Sequence, residues 1–160
     1  AEGIAYRGFL YFGLMLTAAG PKLLEYNARL GDPETEVLLP ALAGPLLPTL
    51  LASFDGTLDR HPFAFKPGAV VDVVLAAGGY PGDVRAGVPI TGADVTDALT
   101  FHAGTEIRSG ALTVAGGRVL NVVAHGADLA DARQKAYAAC GQIHFDGMQY
   151  RTDIGGRAPA

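Results

Sequence analysis

Glu25, Asn27 and Arg29 stand at alternate positions, the pattern in this sequence best suited to chemistry. Along an extended strand alternate side chains share a face, so these three point one way and Leu24, Tyr26 and Ala28 the other. A carboxylate beside an amide oxygen is a hard-oxygen donor pair. It suits Mg2+, which keeps several waters and takes its remaining ligands from phosphate groups. Arg29 can clamp a phosphate or carboxylate oxygen. The helix start that follows Asp32 adds oriented amides that favour an anion. The same string also fits a solvated strand face leading into an ordinary capped helix.

Other candidates stand further along. Gly78 and Gly79 would let the backbone approach a ligand closely, although glycine pairs also serve plain turns. Arg85 can reach an anion or only solvent. His102 sits at a strand end before Ala103-Gly104-Thr105, where a packed, hydrogen-bonded imidazole competes with a catalytic one. Arg151 and Arg157 flank Asp153 in the tail. His61, His125 and His144 lack metal-ligand spacing and read as surface or packing residues. No Ser, His and acid set points to hydrolysis.

The elements that must position these groups follow from pattern. Residues 8–17 and 22–28, separated by Ala18-Ala19-Gly20-Pro21, read as an antiparallel hairpin. In Gly31-Asp32-Pro33-Glu34, Asp32 is expected to cap free amides, Pro33 to take the first helical position and Glu34 to favour the positive helix end. A helix through about Leu39 is expected, then a shorter one over 46–54 ending near Asp55-Gly56. Residues 69–77 form an almost unbroken apolar strand that runs into the loop Gly78-Gly79-Tyr80-Pro81-Gly82. Residues 98–102, 111–114 and 118–124 read as strands of a small meander. Residues 127–140 show helical periodicity, with Asp128 near the start and Gly141 after the end. One more short strand is expected in the tail from Met148.

Composition narrows the class. The 160 residues are 49% hydrophobic and 18% charged, with 22 Gly and 10 Pro, a globular, turn-rich balance. The net charge of -4 gives no broad footprint for nucleic acid. The longest apolar runs are broken by Gly or Pro and fall short of the roughly 20 residues of a membrane span. The single Cys140 cannot form an intrachain disulfide, and a reducing cytoplasm is the expected location.

The literal string from Leu24 to Thr35, LEYNARLGDPET, resembles the ATP-grasp ligases, specifically the phosphoribosylamine-glycine ligase family, also called glycinamide ribonucleotide synthetases. The similarity continues through Phe9-Leu10-Tyr11, Gly13-Leu14-Met15, Ala76-Ala77-Gly78-Gly79-Tyr80-Pro81-Gly82-Asp83, Phe101-His102-Ala103-Gly104-Thr105, Gly116-Gly117-Arg118-Val119-Leu120 and Asp153-Ile154-Gly155. It covers almost the whole chain and is weakest over 51–67 and 109–114. Tyr26, Ala28 and Leu30 replace the family's usual Phe, Cys and Phe at packing positions, and Val84 replaces a common aromatic.

The resemblance implies an α+β fold. Residues 1–60 would be the C-terminal segment of an ATP-grasp domain, a hairpin plus helices. Residues 61–160 would be a small, mainly antiparallel domain with a packed helix, the division falling within 54–67. It implies Glu25 and Asn27 as ligands of Mg2+ or Mn2+, Arg29 as the catalytic cation and Arg151 as a substrate contact, with Gly78 and Gly79 the candidate substrate contacts that glycine chemistry offers beside them. ATP, glycine and 5-phosphoribosylamine are the implied partners, joined through a glycyl phosphate in de novo purine biosynthesis. The glycine-binding domain and the lysine-bearing, glycine-rich nucleotide clamp of the family are not in these residues. They are expected in cis or on a separate chain, and the chain by itself is expected to be inactive. A non-catalytic assembly module and a sister ligase with another carboxylate and amine are the alternatives.

Overall fold

The computed structural model describes residues 3, 5–94 and 97–156. Its first element is a hairpin of β1 (Tyr11–Thr17) and β2 (Gly20–Asn27), paired antiparallel. Tyr11 faces Asn27 and Gly13 faces Glu25, but the next pair is Leu14 with Leu23, so Leu24 is an extra residue on β2. Such a bulge re-aims the strand end that carries the candidate site. Phe12 and Tyr26, opposite each other, meet edge-on with ring centroids 5.1 Å apart.

Helix α1 (Glu34–Ala41) follows, then α2 (Leu46–Asp55) and a 3-10 turn at Leu58–Arg60. The expected cap is corrected here: α1 begins at Glu34, Pro33 stands at the cap position, and no side chain caps the helix. The Asp32 carboxylate is bound elsewhere, to Arg118. The helix also runs past Leu39, with Pro40 inside its last turn. Proline lacks an N–H and weakens the ladder, and the chain turns extended at Leu42. The returning segment pins this end through Ala43 N–H to Ala64 O and Lys66 N–H to Ala41 O, at 2.9 and 2.8 Å.

The main sheet is antiparallel. Strand β3 (Ala69–Ala76) is followed by β4 (Leu99–His102), the hairpin β5 (Thr105–Arg108) and β6 (Ala111–Val114), and then β7 (Arg118–Gly126). β7 lies between β3 and β4, while β5 and β6 pair with each other. Strand β5 was not expected from the sequence; its mix of Thr, Glu, Ile and Arg gives a weak alternation that only pairing with β6 makes a strand. The strand expected in the tail is reduced to one bridge, Gln149 to Ala76. Helix α3 (Leu129–Cys140) closes the fold, its start capped by the Asp128 carboxylate accepting from Asp131 N–H at 2.9 Å. The Asp131 carboxylate accepts from Ala127 N–H in return, at 2.8 Å.

The core explains the arrangement. Val71, Val73 and Leu75 pair with Ala124, Val122 and Leu120, so by alternation all six share one face. That face packs against α3, whose Ala132, Ala136, Ala139 and Cys140 are buried. Small residues let the helix approach closely. Burial pushes the Cys140 thiol up to about 12, so it is an inert packing group. The opposite face carries Asp72, Val74, Asn121 and Val123, and α1 packs against β3 and β7. Among the described residues, antiparallel sheets with three α-helices make the chain α+β, as the sequence indicated.

Candidate metal-holding edge

At the end of β2 the Asn27 side-chain amide donates to Glu25 Oε1 at 3.0 Å, so the two candidate ligands lie side by side. Opposite them Gly13 leaves room: a Cβ there would come within 2.9 Å of Glu25 Cγ. The bond occupies one carboxylate oxygen and the amide nitrogen. Among the described residues Glu25 Oε2 and Asn27 Oδ1 carry no protein hydrogen bond; Glu25 is exposed and Asn27 half-buried, and this pair of hard oxygens fits a small divalent cation.

A second carboxylate stands close by. Tyr11, the cross-strand partner of Asn27, donates its hydroxyl to Glu34 Oε1 at 3.0 Å. This bond is the main reason the Tyr11 hydroxyl titrates above its ordinary value, with burial and the charges of Glu34 and Glu25 adding to it. Sequence reasoning assigned Glu34 only to the helix end and missed Tyr11. Their contact joins β1 to α1 and has no local signature.

Arg29 lies beyond the end of β2, and its alternation with Asn27 is broken. It is exposed, and its guanidinium donates to the Leu30 carbonyl at 3.0 Å rather than to Glu25 or Asn27. The remaining donors of its fork stay available to an incoming anion.

The turn after Arg29 is tied to the main sheet. Arg118, the first residue of β7, donates to the Asp32 main-chain oxygen and to Asp32 Oδ2, each at 3.1 Å. The same Arg118 lines a cavity of about 360 Å³ with Val74, Ala76, Tyr80, Gln149, Tyr150 and Arg151. Arg151 is held bidentately by Asp153 at 2.8 and 2.6 Å, which raises its already high pKa. The structure thus brings Arg151 to a cavity wall, about which the sequence was silent.

Gly78 and Gly79 do not line that cavity; Tyr80 does. Gly79 has φ +93°, and a Cβ there would overlap the Asp83 carbonyl oxygen, so the close approach is to the chain's own backbone. A Cβ on Gly78 would stand 3.0 Å from the Gly147 carbonyl oxygen, a tight but less severe approach. The Gln149 side chain donates to Ala77 O and Tyr80 O at 3.2 and 3.0 Å and fixes this loop. His102 Nδ1 lies 3.0 Å from Thr105 Oγ1, so the imidazole is hydrogen-bonded, but the residue is exposed rather than packed. Arg85 pairs at 3.3 Å with Asp146, both well exposed. Arg157 lies outside the described residues.

The other notable polar group is Asp72. It is buried with both carboxylate oxygens unpartnered, as are Glu36 Oε2 and Asn121 Oδ1. Burial, then the charges of Glu36 and Asp32, push Asp72 up to about 7. Among the described residues no group of three or more His, Cys, Asp or Glu is arranged to hold a metal. No described helix is long and apolar enough to cross a membrane.

The family profile for the phosphoribosylglycinamide synthetase C domain matches residues 70–157, and that for the ATP-grasp (A) domain of the same enzyme matches residues 1–35. The phosphoribosylamine-glycine ligase of Synechocystis sp. is 50% identical over 98% of this chain, and that of Leifsonia xyli is 50% identical over 99%. The chain spans 39% and 40% of their lengths. The crystal structure of the Thermotoga maritima phosphoribosylamine-glycine ligase superposes with a TM-score of 0.80 at 43% identity, over 95% of this chain and 38% of that one. The Kluyveromyces lactis urea carboxylase shares the fold alone, with a TM-score of 0.56 at 20% identity over 83% of this chain and 12% of that one. Since one family profile covers more than half of the chain and a second, from the same enzyme, matches its first residues, the chain belongs to the phosphoribosylglycinamide synthetase family.

Proposed function

We propose that these residues are the C-terminal portion of an ATP-dependent ligase that joins glycine to 5-phosphoribosylamine in de novo purine biosynthesis. Residues 1–60 complete the ATP-grasp domain and residues 61–160 form the C-terminal domain. The observation that carries the reading is the Glu25–Asn27 pair at the β2 end, joined by a 3.0 Å hydrogen bond, with Glu25 Oε2 and Asn27 Oδ1 unbonded among the described residues.

The difficulty of the reaction is electrostatic, since the glycine carboxylate must approach a polyanionic triphosphate. Bound at Glu25 and Asn27, Mg2+ or Mn2+ supplies charge neutralisation at the phosphates of ATP. Arg29, exposed and with free donors, holds an oxygen of the transferring phosphoryl group as charge moves onto the leaving ADP. The carboxylate oxygen attacks the γ-phosphorus and gives glycyl phosphate and ADP. The amine of phosphoribosylamine then attacks the carbonyl carbon and expels phosphate, yielding glycinamide ribonucleotide. Arg151, with Tyr80 in the same cavity, offers its cation to the sugar phosphate. Gly78 and Gly79 contribute by shaping the loop that presents Tyr80.

The surface of the N-terminal segment supports a larger whole. Leu14, Leu16, Leu24 and Tyr26 on the hairpin are 53–78% exposed, and Leu47, Leu51 and Phe54 on α2 are 55–63% exposed. Two-stranded ribbons and amphipathic helices need cover to be stable. The remaining part of the ligase, in cis or on a separate chain, covers them and completes the nucleotide site. The location is the cytoplasm. The test is ADP release by the full-length protein, which should require both glycine and phosphoribosylamine and be lost on Glu25→Gln. The 160-residue portion by itself should show no glycine-dependent ATP turnover. ADP release indifferent to glycine in the full-length protein would sink the reading.

A further inference from the structure

We infer that Arg118 is a positioning residue for the metal edge: from the C-terminal sheet it holds the Gly31–Pro33 turn, and through that turn it fixes Glu25 and Asn27. This rests on the proposed metal role of those two residues. The contacts form a continuous series. Arg118 grips Asp32 at both its main-chain oxygen and its carboxylate, each at 3.1 Å, across 86 residues of sequence. Two bonds from one planar guanidinium fix the turn's orientation as well as its position. Gly31, at the start of the turn, accepts from Thr35 N–H at 3.1 Å, so the turn is continuous with the first residues of α1. Glu34 opens that helix and accepts from the Tyr11 hydroxyl at 3.0 Å. Tyr11 faces Asn27 across the hairpin, and Asn27 donates to Glu25.

The reason such a clamp matters is the nature of the hairpin. Two strands alone are marginally stable, and both faces of this ribbon expose large apolar side chains, so its own pairing sets the placement of its end loosely. Mg2+ demands near-ideal octahedral geometry, so ligands that wander bind it weakly. Arg118 anchors to β7, the central strand of the main sheet, whose Val119, Leu120 and Val122 are fully buried. A buried central strand thereby sets the position of the edge of an exposed two-stranded ribbon.

The test is Mn2+ binding to the full-length protein, measured by electron paramagnetic resonance without substrates, with turnover followed separately. Arg118→Ala and Asp32→Asn should each weaken Mn2+ about tenfold, and the double variant should be no worse than the weaker single one, since both break one link. Arg118→Lys, which keeps the charge but not the two-point grip, should fall between Arg118→Ala and the parent; it also serves if the alanine variant folds poorly. Arg85→Ala, which removes another exposed arginine pair, should leave Mn2+ affinity at the parent level. Mn2+ affinity within twofold of the parent in Arg118→Ala overturns the inference, as does full additivity in the double variant. A loss confined to the KM for phosphoribosylamine also overturns it and makes Arg118 a substrate contact instead. If Glu25→Gln binds Mn2+ as tightly as the parent, the metal reading itself fails, and the inference with it.

Discussion

Asp72 in β3 and Glu36 in α1 carry buried carboxylate oxygens without hydrogen-bond partners, and the charge of Glu36 adds to the burial that pushes Asp72 up to about 7. The pair lies where the first helix packs against the main sheet. Asp32 contributes from the turn before α1, and Cys140 from α3 is near enough to feel Asp72. An acid whose folded pKa is raised holds its proton in the folded state when the unfolded chain has already lost it. Stability therefore falls as pH rises from about 4, the unfolded value, through about 7.

Chemical unfolding followed from pH 4 to 9 should show that decline, with Asp72→Asn flattening it. At pH 8 the variant should be more stable than the parent by about 1–3 kcal/mol, the cost of a buried unpartnered charge less that of the amide replacing it. A pH profile that the substitution leaves unchanged would mean that Asp72 is paired in solution.

For the metal edge, Arg29→Ala in the full-length protein should lower turnover roughly a hundredfold, the scale for removing one preorganised donor from a transition-state charge. Steady-state kinetics with ATP, glycine and phosphoribosylamine give the answer. Turnover and nucleotide affinity at the parent level would remove Arg29 from the mechanism.

Arg151→Ala should raise the KM for phosphoribosylamine about tenfold while leaving the KM for ATP unchanged, because neither Glu25 nor Asn27 lines its cavity. Asp153 orients this guanidinium through two bonds, so Asp153→Asn should show the same selectivity at smaller size. An equal rise in both KM values would point to a general loss of structure.

Leu120 is fully buried opposite Leu75, and Leu120→Ala should cost about 2–5 kcal/mol in urea unfolding. Gly79→Ala should cost about 1–3 kcal/mol or more, because φ is +93° and a Cβ would meet the Asp83 carbonyl. A neutral result at Gly79 would require the loop to rearrange, which hydrogen exchange at the Tyr80 and Gly82 amides would reveal.

Much of the fold was readable from local pattern. The apolar run at 69–77 is β3 with one residue to spare, and the Asp128 cap and Ala-rich period locate α3 to within two residues at its start. Strand β5 escaped because its four residues alternate weakly, and Asp32 was misassigned because a good N-cap type is equally good at accepting from a distant arginine.

The sequence by itself determined that Glu25 and Asn27 would share a face, since strand geometry places side chains two apart together whatever surrounds them. It determined the core strands and the long helix for the same local reason. Only the tertiary structure decided that Arg118 would hold the Asp32 turn, that Tyr11 would meet Glu34, and that Asp72 would lie buried near Glu36. Those contacts join residues 23 to 86 positions apart, and they exist only once packing has set which strand faces which helix. Periodicity carries no information about that choice.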